Sequence, residues 1–119
     1  MSTTNTGNLV NSTILAYNNI GTSPVTVIGI NSGRKKLTFH NPGLIAGSVD
    51  VVVFPLTVLQ NTPGGASVAL TPTTAALGGG FRIFAAGGDR VIEGQAAKQG
   101  WQALSLSGSG NSLTVMEES

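Results

Sequence analysis

The segment Lys36-Leu37-Thr38-Phe39-His40 decides the fold class, because apolar and polar side chains alternate strictly along it. Successive side chains of a β-strand point to opposite faces, so Leu37 and Phe39 would share a buried face and the three polar residues would share the other. Residues 112–116, near the end of the chain, alternate in the same way. Both segments are therefore predicted to be strands with one face on a core.

Turn-forming Gly, Asn and Pro residues divide the rest of the chain into short segments rich in β-branched and aromatic residues. The predicted strands are residues 13–17, 25–30, 36–40, 48–54, 67–70, 81–85, 90–93, 102–106 and 112–116. Residues 51–54 are continuously apolar, which predicts a central strand that is covered on both faces. The best helical window, residues 95–99, lies between two glycines and allows only a single turn. The pattern predicts an all-β protein, either a single antiparallel β-sandwich or a jelly-roll-like barrel.

A length of 119 residues corresponds to one domain. Residues 1–12 are mostly Ser, Thr, Asn and Gly and are predicted to form a flexible N-terminal arm, and residues 13–119 to form the β-sandwich domain. Alternation along the predicted strands assigns the core to Leu37, Phe39, Val51, Val53, Phe81, Ile83, Leu104 and Val115. All four phenylalanines are expected inside.

The composition argues against several classes of function. Only 9% of the residues are charged, against about 25% in ordinary soluble domains, and the net charge is +1. Such a balance lacks the basic face expected of a nucleic-acid-binding protein. The chain has no cysteine, hence no disulfide, no thiolate nucleophile and no cysteine zinc site. Its most apolar run is much shorter than the ~20 residues that a membrane span needs, so we expect no membrane partner.

Catalytic motifs are also missing from the sequence. His40 is the single histidine, and a Ser-His-Asp arrangement could be drawn through it with Asp50 or Asp89, but no Gly-x-Ser-x-Gly motif occurs. We interpret His40 as a residue on the polar face of its strand. The three glycines at 78–80 precede a strand rather than a helix, which does not suit a phosphate-binding loop. We expect no catalytic, cofactor-binding or metal-binding residues, and therefore no enzyme.

Four residues are candidates for contacts with a partner. Arg34, Lys35 and Lys36 carry half of the six positive charges. They could bind an acidic partner surface or a nucleic-acid backbone, or they could be a solvated start of a strand that discourages edge pairing. Trp101 is the only tryptophan, and core packing is its default role, although an aromatic residue there would also suit a barrel end or a subunit interface.

Several stretches together resemble a known group of proteins. They are RKKLTFHNPG at residues 34–43, VDVVVF at 49–54, GFRI at 80–83, GWQAL at 100–104 and LTVME at 113–117. This set is similar to small β-sandwich structural proteins of tailed bacteriophage virions, in which an R-x-x-L-x-[IF]-x-N strand and a terminal L-x-V-x-E strand recur. Members include head decoration (cement) proteins and fibre components.

The resemblance implies a function without chemistry. We expect a capsid decoration protein that binds the outer head surface, with the major capsid protein and further copies of itself as partners. A homotrimer is the expected oligomer, since capsid lattices offer threefold positions, and the expected location is the virion, assembled in the host cytoplasm. The alternatives are a fibre, tail or baseplate component and, from another class, a carbohydrate- or cell-surface-binding module. Sparse charge and a polar arm also favour an assembly component.

Overall fold

The structure is a computed structural model that describes residues 12–43, 49–56, 71–72, 80–85 and 87–119. Eight strands and one short 3-10 helix form within these residues. The strands are β1 (Ser12–Ile20), β2 (Val25–Ile28), β3 (Lys36–His40), β4 (Val51–Pro55), β5 (Phe81–Ile83), β6 (Asp89–Glu93), β7 (Trp101–Ser105) and β8 (Asn111–Glu118). The helix, Gly94–Lys98, is the single turn that the sequence allowed. The strand predicted at residues 67–70 lies outside the described residues, as do residues 1–11 of the predicted arm.

The strands form two antiparallel four-stranded sheets, ordered β1-β8-β3-β6 and β2-β7-β4-β5. The pairs β1 with β8, β2 with β7, β3 with β6, and β4 with β5 are nested like the two arms of one long hairpin. Wrapping that hairpin into two layers brings β3 beside β8 and β4 beside β7. The all-β sandwich prediction is confirmed, and the strand order is that of a jelly roll.

The core lies between the inner faces of the two sheets. Leu37, Phe39 and Val115 line it from the first sheet, and Val51, Val53 and Ile83 line it from the second. All six are fully buried, as predicted. For β3, β5 and β8 the alternation of apolar residues was sufficient for this assignment, because a strand with one solvated face must turn its other face to the core.

Strand β4 is covered on both faces, also as predicted. Val51 and Val53 belong to the core between the sheets, whereas Val52 and Phe54 are buried in a second cluster together with Leu104 of β7. Leu104 is therefore buried as expected, but on the opposite face of its sheet. A side chain at Gly80 would lie 2.6 Å from the carbonyl oxygen of Val53, so the backbone passes close to β4 at this point.

The prediction that Phe81 is a core residue is wrong. Phe81 faces the core side of β5, opposite Val53, but 39% of its surface is exposed. Strand β5 is an edge strand of only three residues, and the guanidinium of Arg90 covers the Phe81 ring at 4.3 Å. Phe84, just beyond β5, is 61% exposed, so only two of the four phenylalanines lie inside.

Strand β1 is longer than the sequence predicted. It begins at Ser12, which was assigned to the arm, and continues beyond Tyr17 to Ile20. The pairing with β8 shifts register between Tyr17 and Ile20, which is a bulge of the kind that lets a strand pass through turn-forming residues such as Asn18 and Asn19. The side-chain amide of Asn111 donates to the carbonyl of Ile20 and fixes the strand end.

Candidate functional site

Arg34, the first candidate partner contact, is an internal residue with 2% of its surface exposed. Its Nη1 donates to the carbonyls of Ala97 at 2.9 Å and Gln99 at 3.0 Å, and its Nη2 donates to the carbonyl of Gly29 at 2.8 Å. Its Nε donates to Glu117 Oε2 at 3.0 Å. The planar guanidinium therefore joins two loop carbonyls and one carbonyl of the 3-10 helix to the last strand, and four of its five N–H groups are used within the chain.

The ion pair between Arg34 and Glu117 connects the two recurrent strand motifs. Arg34 lies two residues before the start of β3, and Glu117 lies in β8, where its Cα partner is Leu37 of β3. Two pairs further along, Phe39 is the partner of Val115. Residues 83 positions apart in the sequence thus meet as neighbours. The motif residues belong to one connected unit at the centre of the first sheet.

Asn41 ends the R-x-x-L-x-F-x-N motif and is also buried. Its side-chain amide donates to the carbonyls of Val49 at 3.0 Å and Ile83 at 3.2 Å, so it joins β3 to the second sheet. Every fixed position of this motif is therefore buried, with the two charged or polar ends hydrogen-bonded. The motif specifies the fold rather than a docking surface.

Trp101 takes the default role that the sequence assigned to it. Only 2% of its surface is exposed, and its ring lies 5.6 Å from the Phe39 ring and 6.1 Å from the Phe81 ring, centroid to centroid. The indole N–H donates to the carbonyl of Ala96 in the 3-10 helix at 3.0 Å. Because the ring is buried within the chain, it has almost no surface with which to contact another subunit.

Lys35 and Lys36 are the two candidates that remain accessible. Lys35 is exposed, and the Lys36 ammonium lies 3.9 Å from Glu118 Oε2. The alternative that these cations protect a sheet edge is wrong, since β3 lies between β8 and β6. Arg34 and Trp101 are buried, so Lys35 and Lys36 are the two of the four candidate residues whose side chains a partner could reach.

Sequence reasoning missed the apolar row on the outer face of the first sheet. Ile14, Met116, Thr38 and Val91 are successive cross-strand neighbours from β1 to β6. Ile14 is 65% exposed and Val91 45% exposed. The row brings together four separate segments, so no local pattern could have revealed it. Exposed apolar side chains on a sheet face suit contact with a macromolecule rather than with a small ligand, which binds in a concave pocket.

His40 lies beside Asp89 on the same outer face. The two residues are cross-strand partners, and the distance between His40 Nδ1 and Asp89 Oδ1 is 2.5 Å. Thr114 is the neighbour of His40 on the other side. The face is open, with the His40 and Asp89 side chains 39% and 59% exposed, so this pair lacks the water-excluded surroundings in which a catalytic dyad acts. His40 is on the polar face of its strand, as predicted.

A second group of accessible residues lies at the β5 edge. Arg82 Nε donates to Asp50 Oδ2 at 2.7 Å, and the Arg82 guanidinium also covers the Phe84 ring at 5.5 Å. Asp50 accepts in addition from the backbone N–H of Ala85. With Phe81 and its covering Arg90 nearby in sequence, this edge presents aromatic and arginine side chains together, the residue types enriched in protein interfaces.

Two other kinds of site are absent from the described residues. No group of three His, Asp or Glu side chains there could hold a metal ion, and no helix there is long and apolar enough to cross a membrane. Comparison of the chain with protein-family models, with curated proteins and with solved structures found no match. The resemblance to virion proteins thus depends on the motif residues alone.

Proposed function

We propose that this chain is a non-catalytic structural protein of a tailed bacteriophage virion, a decoration protein that binds the outer surface of the head. The observation that supports it most is the contact between Arg34 and Glu117. The two motifs that carry the resemblance are far apart in sequence, yet their residues meet in adjacent strands with complementary charge. The stretches that carry the resemblance therefore form one structural unit of the sandwich.

The fold and the surface are compatible with this role. Jelly rolls occur in viral capsid and lectin domains, although a fold by itself does not assign a function. The outer face of the first sheet exposes Ile14 and Val91 in a row of weakly polar residues. The row itself contains no charged side chain, so a large partner that covered it would desolvate no charge within the row. The proposed partners are the major capsid protein and further copies of this chain, with a trimer as the expected oligomer.

Electron microscopy of the virion tests the proposal directly. Antibodies against the purified protein, coupled to gold, are applied to intact particles of the phage that encodes it. Label distributed over the head surface is the expected result. Label confined to the tail, the baseplate or the fibres would favour the alternative virion role over decoration of the head. Particles that carry no label and do not contain the protein would contradict any virion role.

One observation favours a second candidate, a carbohydrate-binding module. Aromatic side chains on a surface can stack on sugar rings, and the sequence was expected to bury its phenylalanines. Phe84 is instead exposed beside Arg82, which pairs with Asp50, so polar groups lie next to its ring, and Phe81 is partly exposed on the opposite face of β5. A glycan array would test this candidate, with Phe84→Ala as the variant that should lose any binding seen with the wild type.

A further inference from the structure

The four edge strands of the two sheets differ in how they are protected against pairing with another chain. Strand β5 has three residues and carries Arg82, and β6 carries Asp89, Arg90 and Glu93. Strand β2 has four residues, and the Tyr17 hydroxyl donates to its Val27 carbonyl. Short length, charge and a covering side chain are the usual means by which an edge avoids pairing.

Within the described part of the chain, strand β1 has none of these protections. It has nine residues, Ser-Thr-Ile-Leu-Ala-Tyr-Asn-Asn-Ile, without a charge or a proline. Among the described residues its one strand partner is β8. Ser12, Thr13, Ile14 and Ala16 are all exposed. Every second residue of such an edge points its N–H and C=O away from the sheet, and β1 therefore offers a ready template for a further strand.

We propose that β1 pairs antiparallel with β1 of a second copy of this chain, about a two-fold axis, so that two four-stranded sheets become one of eight strands. Identical strands related by a two-fold axis can pair only in the antiparallel sense. Because β1 carries no charge, self-pairing opposes no like charges. Both free ends of the joined sheet are then β6 strands, whose charges prevent further addition, so the assembly closes as a dimer.

The proposal specifies one contact between copies and does not require the virion role. It replaces the trimer that the resemblance implies, because a two-fold contact closes with two chains. The dimer would bring Ile14, the most exposed apolar residue of β1, beside a second copy of the same strand. The apolar row from Ile14 to Val91 would then run across both protomers.

Light scattering coupled to size exclusion, on the full chain at micromolar concentration, is the first test. We expect a dimer for the wild type and a monomer for Ile14→Lys, which places two ammonium groups in the contact. Val91→Lys is the matched control, since Val91 is exposed in the same row at the opposite, charged edge, and it should stay dimeric. Circular dichroism and melting confirm that both variants fold.

Cysteine scanning is the second test, because the chain contains no cysteine of its own. Single changes Thr13→Cys, Ile14→Cys, Leu15→Cys and Ala16→Cys are oxidised under mild conditions. A residue on the two-fold axis faces its own copy at about 4.5–5.5 Å between Cα atoms, a distance that a disulfide spans. One position should cross-link far faster than its neighbours, and Val91→Cys should not cross-link.

Three results would overturn the proposal: a wild-type monomer or trimer, an Ile14→Lys variant that stays dimeric, or cross-linking that is equal at all positions. None of them depends on where the protein is found on a virion. Label on the capsid together with a monomer in solution would reject the β1 contact and leave the proposed function standing. A dimer in solution together with virions that carry no label would support the β1 contact and reject the proposed function.

Discussion

The centre of the first sheet and the β5 edge of the second both contain arginine and phenylalanine side chains, but these are buried at the centre and partly exposed at the edge. At the centre, Arg34 binds Glu117 and three carbonyls, and Phe39 packs on Trp101. At the edge, Arg82 binds Asp50, and Arg90 covers a half-exposed Phe81. Burial makes the first set part of the fold, whereas solvent screens the second. The position of a residue in the sheet order, not its type, decides whether it holds the structure or remains available to a partner.

The largest contrast is expected between the two phenylalanines. Phe39→Ala should lower the free energy of unfolding by about 3–5 kcal/mol, because a fully buried ring leaves a cavity. Phe81→Ala should cost below about 2 kcal/mol, since part of that ring is already in water. Urea unfolding measures both. A cost below about 1 kcal/mol for Phe39→Ala would mean that the two faces of β3 are reversed.

The two arginines give the next contrast. Arg34→Ala should cost about 3 kcal/mol, because it leaves Glu117 and buried carbonyls without their donor. Arg82→Ala is the matched control and should cost below about 1 kcal/mol, as an exposed ion pair contributes little. Arg34→Lys tests the geometry, since an ammonium cannot replace the planar fork, and full stability in this variant would show that charge alone suffices.

Adjacent residues at the end of β3 make a smaller contrast. Asn41→Ala should cost about 2 kcal/mol, because the carbonyls of Val49 and Ile83 lose their buried donor. Thermal unfolding of this variant is compared with His40→Ala, the neighbouring change on the solvated face. Equal melting temperatures for the two variants would argue that the amide does not hold the sheets together.

The smallest effect is expected for His40→Ala itself. The His40–Asp89 pair is open to solvent, so its loss should cost below about 1 kcal/mol. Attachment to capsids, measured by co-sedimentation, should be unchanged. A folded His40→Ala variant that lost a measurable turnover would show that the non-catalytic interpretation is wrong.

Local patterns predicted most of the fold because they reflect local geometry. Alternation along residues 36–40 correctly assigned both faces of β3, and the continuous apolar run correctly placed β4 between two apolar clusters. Phe81 shows where this reasoning ends. Its face was predicted correctly, but burial also depends on the length of β5 and on its place at a sheet edge, which involve residues far away in the sequence.

The candidate site was less predictable than the fold. Arg34, Lys35 and Lys36 form one basic run in the sequence, yet the first is buried and the second is exposed. A cluster of like charges indicates a surface only when no acceptor is brought to it. Here the acceptor is Glu117, which lies near the other end of the sequence, and no rule of sequence spacing predicts its contact with Arg34.

By itself, the sequence determined that the chain is all-β, which faces of β3, β4 and β8 turn inward, and that one helical turn precedes β7. These properties follow from alternation and from turn-forming residues, which act over a few positions. Only the tertiary structure decided which strands are neighbours, and with that the Arg34–Glu117 contact, the apolar row across the first sheet and the unprotected edge at β1. The physical reason is that strand order arises from pairings between distant segments, which the alternation within any one strand does not encode.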